Sequence, residues 1–190
     1  MPEPGPPFRL PADCWQQLFG NPHPVALEIG PGRGEFLLVA ALADPATNFY
    51  AVEISSTGVR RIESKLATAG LTNARVLWAD ATWLVGVLPP ASVATVHVQF
   101  PDPWWKRRHK RRRLWSTPFV AALRQLLVPG GGIEFLTDVE EYFHFGQGYL
   151  DADPGLERIN VGLLPEHDTN FARKALRRGG VIHRSTHRRR

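Results

Sequence analysis

The sequence predicts an α/β fold, a mostly parallel sheet with helices on both faces in a single domain. Two observations carry that reading. Short apolar runs of strand length alternate with segments of helical period along most of the chain. Such alternation is satisfied when right-handed crossovers return each strand to one sheet. Each apolar run also ends in or beside an acidic residue, and that topology gathers strand C-termini along one edge.

The elements follow in order. "VALEIG" (Val25 to Gly30) reads as a buried strand, and "GEFLLVAALADP" as a helix with Phe36, Leu37, Val39, Ala40 and Leu42 at apolar positions and Pro45 beyond its end. "NFYAVEI" is a second strand. "SSTGVRRIESKLATAG" is a helix with Ser55 or Ser56 to cap it and Gly70 to stop it. "NARVLWAD" and "ATVHVQFPD" are strands three and four. "PFVAALRQLLVPGG" is a helix closed by Pro129 and glycines, "GIEFLTD" a fifth strand, and "VEEYFHFGQGYL" a further helix. Only a short strand near Leu156 to Asn160 is expected in the weakly periodic segment that follows.

Composition bounds the function. A chain of 190 residues with 43% hydrophobic residues can bury one core. The net charge of +5 points to a polyanionic partner. The basic residues concentrate between Lys106 and Arg113 and between Arg173 and Arg190. A lone cysteine, Cys14, excludes an internal disulfide and a cysteine-based zinc site, and the seven histidines show no ligand spacing, so no metal is expected. Residues 1–22 read as a proline-rich, partly disordered arm, extended over its first eleven residues, and residues 23–190 as the folded domain with a basic C-terminal tail. Without a long apolar run, the expectation is a soluble, cytoplasmic protein with no membrane contact.

The strand ends carry the chemistry. Glu28, Glu53, Asp80, Asp102 and Asp138 close the five strands. Any one of them alone reads as a helix cap or surface turn. Together on one edge they repel, and a cationic or hydrogen-bond-donating ligand would relieve that repulsion. The first turn, "EIGPGRGEF", places Gly30, Gly32 and Gly34 in a G-x-G-x-G spacing. A dinucleotide pyrophosphate would require G-x-G-x-x-G and would be repelled by Glu28. An ammonium and a sulfonium would not. Glu53 sits where an acid can accept hydrogen bonds from ribose hydroxyls. The combination suits S-adenosylmethionine better than a nicotinamide dinucleotide.

"FPDPWWKRRHKRRRL" (Phe100 to Leu114) carries the substrate reading. Strand four delivers Asp102 to the same edge, between Pro101 and Pro103, which restrict the backbone. Trp104 and Trp105 offer faces for stacking. Arg108, His109, Lys110, Arg111, Arg112 and Arg113 extend from the site as candidate phosphate ligands. The acid would act on a base while the cations hold the backbone of a nucleic acid.

These residues resemble the tRNA (guanine-N7)-methyltransferases of bacterial type. "LEIGPGRGEF", "FYAVEIS", "FPDPWWKRRHKRRRL" and "FLTDVEEY" resemble four of that family's motifs in order, from Leu27 onward. The resemblance implies a Rossmann-like class I methyltransferase sheet of seven strands with the last antiparallel. It implies transfer of a methyl group from S-adenosylmethionine to guanosine N7 in tRNA, at m7G46 of the variable loop. It also implies that Glu28, Glu53, Asp80 and Asp102 meet the donor site, with Asp102 catalytic, and that Lys106 and Asp138 contact substrate. A family Thr-x-Phe-Glu motif reads here Thr169, Asn170, Phe171, Ala172, so Thr169, Asn170 and Phe171 are further substrate candidates and the Glu is absent. The resemblance implies a monomer or homodimer. The C-terminal "THRRR" is an additional RNA-contact candidate.

Three alternatives stand beside this reading. A methyltransferase acting on another RNA or atom stays open because of the missing Glu. A non-catalytic RNA-binding protein would keep the fold and the basic surface. A nicotinamide oxidoreductase is disfavoured by the glycine spacing.

Overall fold

The structure is a computed structural model, and it describes residues 8–104, 107–160 and 169–190, with the side chains at positions 107, 110, 111, 170 and 171 also outside the description. The strands are β1 (Val25–Ile29), β2 (Asn48–Glu53), β3 (Ala74–Trp78), β4 (Val93–Gln99), β5 (Leu127–Thr137), β6 (Leu156–Ile159) and β7 (His183–Arg189). The helices are α1 (Cys14–Phe19), α2 (Glu35–Ala43), α3 (Ser56–Thr68), α4 (Ala81–Val87), α5 (Thr117–Leu126), α6 (Glu140–Asp151) and α7 (Asn170–Arg177), with a 3-10 turn over Arg107–Arg112. One seven-stranded sheet runs in the order β3-β2-β1-β4-β5-β7-β6. The pairs among β1 to β5 are parallel, and β7 runs antiparallel to both β5 and β6.

Side-chain alternation explains how one sheet buries two faces. Val25, Leu27 and Ile29 of β1 join Val96, Val98, Ile133 and Phe135 in a core that includes α4, α5 and α6. Ala26 points to the opposite face, where Phe36 and Leu37 of α2 and Ile62 and Leu66 of α3 cover Phe49 and Ala51. The helix starts follow side-chain caps: Ser55 accepts from Gly58 N–H at 3.2 Å and Ser116 accepts from Phe119 N–H at 3.4 Å.

Three expectations change. The N-terminal arm is not extended from end to end: Cys14–Phe19 form α1, and Trp15 is buried beside Tyr50 at a ring separation of 5.0 Å. Proline content signalled an arm, but a single large aromatic finding a core site outweighs it. The helix after Ser116 ends at Leu126 instead of running to the glycines, because Leu127 and Val128 already extend β5, which carries Pro129 within it. The C-terminal tail is a strand. Seven residues of β7 fill the place between β5 and β6, and their arginines are matched to partners: Arg188 to Glu157, Arg189 to the Leu127 carbonyl and Arg184 to Glu134. Near-continuous polarity hid this strand from a reading based on apolar runs, and its cations serve the fold where an RNA contact was expected.

Arg184 belongs to a buried polar row. Register places Glu28 opposite His97, His97 opposite Glu134, and Glu134 opposite Thr186. His97 Nδ1 lies 3.3 Å from Glu134 Oε2, and the Arg184 guanidinium donates to Glu134 Oε1 at 2.9 Å. Breaking a buried pair strands a charge. Arg184→Leu is therefore expected to destabilise the protein by roughly 3 kcal/mol in denaturant unfolding. Replacement of the exposed Arg178 serves as the reference and is expected to stay within about 0.5 kcal/mol.

Candidate active site at the sheet switch point

β1 lies between β2 and β4, so the chain reverses its direction of spread there, and ligands of such sheets bind outside the strand ends at that crevice. A cavity of about 310 Å³ occupies the place, lined by Glu28, the turn from Gly30 to Arg33, Glu35, Phe36, Gln99, Phe100, Thr169 and Lys174. Strand order sets the acids side by side at this edge, Asp80 after β3, Glu53 on β2, Glu28 on β1, Asp102 after β4 and Asp138 after β5.

The five acids differ in environment. Glu28 is buried, and its Oε2 has no hydrogen-bond partner among the described residues. Burial, and then the charge of Glu53, push its carboxyl up from 4.5 to about 8. Glu53 is buried too, but it is satisfied: Gly32 N–H donates to Oε2 at 3.2 Å and Ser55 N–H to Oε1 at 2.8 Å. It therefore holds the glycine turn from behind and retains acceptor capacity for a ligand hydroxyl. Asp80 is exposed and caps α4, accepting from Thr82 N–H at 2.7 Å and the Thr82 hydroxyl at 2.6 Å. That is the helix-cap reading any single acid allowed, and of the five strand-end acids only Glu28 is among the cavity-lining residues. Asp138 is exposed between β5 and α6.

The glycines divide into two roles. Gly30 and Gly32 have φ of 70° and 56°, and among the described residues, chain neighbours apart, no atom lies within 4 Å of a Cβ built on either. They leave open backbone facing the cavity. Gly34 also serves packing. A Cβ there would sit 2.8 Å from Ile62 Cγ1, so the close approach of α2 to α3 requires glycine. The Lys65 ammonium fastens the turn by donating to the Arg33 carbonyl at 2.6 Å.

Asp102 is exposed on a bent knuckle. Phe100 and Trp104 on either side of Pro101-Asp102-Pro103 have φ of 49° and 47°, a conformation that side-chain-bearing residues adopt at a cost of about 1–3 kcal/mol. Phe100 N–H anchors the knuckle to the Leu136 carbonyl at 2.8 Å. Arg113 braces it from the other side: Nε donates to the Pro103 carbonyl at 2.9 Å, and the guanidinium lies 4.7 Å from the Phe145 ring centre and 5.7 Å from that of Tyr142. Burial pushes the Tyr142 hydroxyl up to about 12, and Asp102 acts in the same direction, so the carboxylate is within electrostatic reach of that ring. Arg113, also expected as a phosphate ligand, thus has its Nε engaged by a carbonyl and its guanidinium set over two rings.

The remaining expected contacts fall as follows. Arg108 and Arg112 are exposed on the 3-10 turn, with Arg112 over Trp104 at 5.1 Å and His109 against the edge of the same ring at 5.5 Å. Lys106, Trp105 and the side chains of Lys110, Arg111, Asn170 and Phe171 lie outside the described residues. Thr169 is buried at the cavity wall and caps α7, accepting from Ala172 N–H at 3.2 Å. Thr-x-x-Glu spells a reciprocal capping box, and here its second half is the buried Ala172. Gln99 and Lys174 were absent from the sequence-derived site. The position of Gln99, at the end of a strand bound for this edge, was the available signal. Lys174 had none, because helix α7 was expected as tail.

A seven-stranded sheet of this order, with acids at its strand ends and an open glycine turn at the switch point, is the Rossmann-like architecture expected from the resemblance to class I methyltransferases. Residues 22–187 match the family model described as "Putative methyltransferase". The tRNA (guanine-N(7)-)-methyltransferase of Geobacter metallireducens is 38% identical over 84% of this chain and 74% of its own length. That of Syntrophotalea carbinolica is 35% identical over 94% of this chain and 79% of its own length. The chain belongs to the tRNA (guanine-N(7)-)-methyltransferase family. Across such relatives it spans between 62% and 79% of their length. In fold it is similar to the aminoglycoside resistance methyltransferase NpmB1, with a TM-score of 0.67 at 18% identity over 96% of this chain and 95% of that one. Among the described residues no helix is long and apolar enough to cross a membrane.

Proposed function

We propose that this chain transfers the methyl group of S-adenosylmethionine to N7 of a guanosine in tRNA, at position 46 of the variable loop. The observation that carries the reading is Glu28, a buried carboxylate with an unpartnered oxygen facing open glycine backbone at the switch point. Such a group is costly unless a cation meets it, and the donor has an ammonium and a sulfonium to offer. When bound, S-adenosylmethionine supplies an electrophilic methyl group. Glu28 would hold its cationic end, the turn from Gly30 to Gly32 would pass its backbone along the ligand, and Glu53 would accept from the ribose hydroxyls with the lone pairs that Gly32 and Ser55 leave free.

Guanine N7 has a lone pair and no proton to lose, so no strong base is required. The chain must supply alignment and a suitable field. Asp102 accepts from guanine N1–H and the exocyclic amine, and it stabilises the positive charge that the ring gains. A base within folded tRNA has to leave its stack to reach the cavity. Asp138 and Thr169 assist in placing it. The oligomeric state, monomer or homodimer, and a cytoplasmic location are part of the same reading.

The test is methyl transfer from labelled S-adenosylmethionine to unmodified total tRNA, with mass spectrometry of the nucleosides and mapping of the modified position. 7-Methylguanosine at position 46 is the expected product. Donor binding without any methylated nucleoside would turn the reading toward an RNA-binding protein, and a different product toward another base or RNA. The missing motif Glu at Ala172 keeps that second outcome specific.

Arg108 and Arg112 bind phosphate in this reading. Replacing both by Ala is expected to weaken tRNA binding and to reduce the slope of log affinity against log salt by about one for each phosphate no longer neutralised. Fluorescence titrations across salt concentration measure the slope, and an unchanged slope rejects the assignment.

A further inference from the structure

Gln99 is the last residue of β4, one residue before the Phe100-Pro101-Asp102 knuckle. It lines the same cavity as Glu28 and the glycine turn. Oε1 and Nε2 are both shut off from solvent, and neither has a hydrogen-bond partner among the described residues. A buried carboxamide with both ends unmet is expensive. At a cavity wall, a turn of the side chain into the cavity would bring both ends to a ligand that meets them.

We propose that Gln99 determines base specificity by reading O6 of the target guanine through its Nε2–H. The inference rests on the function proposed above. In a purine, the 6-substituent is the exocyclic group beside N7. A base that turns N7 toward the donor's methyl group in this cavity therefore brings its 6-substituent to the cavity wall as well. Guanine presents an acceptor there and adenine a donor. A free carboxamide could rotate to suit either. Here Arg33 and Lys174 line the cavity together with Glu35, and a bound donor would bring its ammonium; a cation beside the carboxamide draws the Oε1 end. With Oε1 committed to a cation, Nε2 is left as a donor and matches only O6. A carboxylate at this place would add a further negative charge to an edge that already carries Glu28 and Asp102. The neutral amide avoids that repulsion and adds the N–H that neither acid has.

The experiment follows the Gln99 side-chain NH2 signals by NMR in the full chain saturated with S-adenosylhomocysteine, assigned by their loss in Gln99→Met. Guanosine 5′-monophosphate and the 2,6-diaminopurine analogue, which replaces O6 by an amine, are titrated in turn. The guanine nucleotide is expected to shift the Gln99 NH2 signals and to bind at least about tenfold more tightly than the analogue. Gln99→Met, of similar shape, is expected to lose most of that preference, keeping only the part that Asp102 sets through N1–H, which the analogue also lacks, while holding S-adenosylhomocysteine, which also shows that it folds. Unmoved NH2 signals, or a preference undiminished in Gln99→Met, overturn the proposal. Methyl transfer to a guanosine-containing transcript separates the two readings. A wild-type chain that makes no 7-methylguanosine yet shows the nucleotide preference through Gln99 sinks the proposed reaction and keeps the reader. A Gln99→Met chain that methylates guanosine at the wild-type rate sinks the reader and keeps the reaction.

Discussion

Asp102→Ala is expected to lower turnover by about 10²- to 10³-fold while tRNA affinity stays within about twofold. The residue sits between prolines on a knuckle whose flanking residues Phe100 and Trp104 both hold positive φ. The Arg113 brace and the Phe100 N–H bond to the Leu136 carbonyl fix it to α6 and β5. Strain of this kind persists when surrounding contacts over-determine it, and it is common at active sites. An exposed side chain that accepts two guanine donors contributes little to binding a whole tRNA, which phosphate contacts dominate. Its contribution grows as the ring gains charge, so the loss falls on kcat. Single-turnover rates and binding titrations on the same tRNA check this. Equal losses in rate and affinity would assign Asp102 to ground-state binding. Asp102→Asn keeps one acceptor oxygen and loses the charge, and an intermediate rate is the expected result.

Glu28→Gln is expected to have the largest thermodynamic effects. In the unliganded chain, burial and the charge of Glu53 raise the Glu28 carboxyl from 4.5 to about 8. The folded state then keeps this proton up to about pH 8, whereas the unfolded chain gives it up near 4.5. The folded state binds more protons throughout that window, so this residue's contribution to stability is full at low pH and falls as pH rises to about 8. The loss is on the order of 5 kcal/mol when complete. Glu28→Gln removes the slope, so the wild-type minus mutant difference in denaturant unfolding isolates it. At pH 8 the mutant should be the more stable protein. Donor binding has the opposite dependence. A cationic ligand selects the ionised carboxylate, so affinity rises with pH up to about 8, and binding at pH 7 releases close to one proton. Calorimetry in buffers of different ionisation enthalpy measures that release. The mutant should bind the donor roughly 10- to 100-fold more weakly and release no proton. Wild-type binding that is flat with pH would remove Glu28 as the cation's partner.

The sequence by itself determined the alternation of strands and helices, the acid at each strand end and the unusual glycine spacing. Each is a local signal. Strand length and helical period can be read within one segment, and a parallel α/β topology then places every strand end on one edge. The resemblance of "LEIGPGRGEF" and "FPDPWWKRRHKRRRL" to family motifs rested on the same local order of residues. Tertiary structure decided what the local signals could not separate. Asp80 and Glu28 look alike in sequence. One caps a helix in solvent, and the other is buried beside a second carboxylate, because burial depends on which helices cover each strand. Arg113 and Arg112 are neighbours in one basic run, yet only Arg113 finds a carbonyl and two aromatic rings within reach. β7 shows no apolar run, since its partners are acids on β5 and β6 that lie far away in sequence. Gln99 carries no motif at all. Its significance comes from two buried polar atoms left without partners among the described residues at a cavity wall, a property of the assembled site and of no single segment.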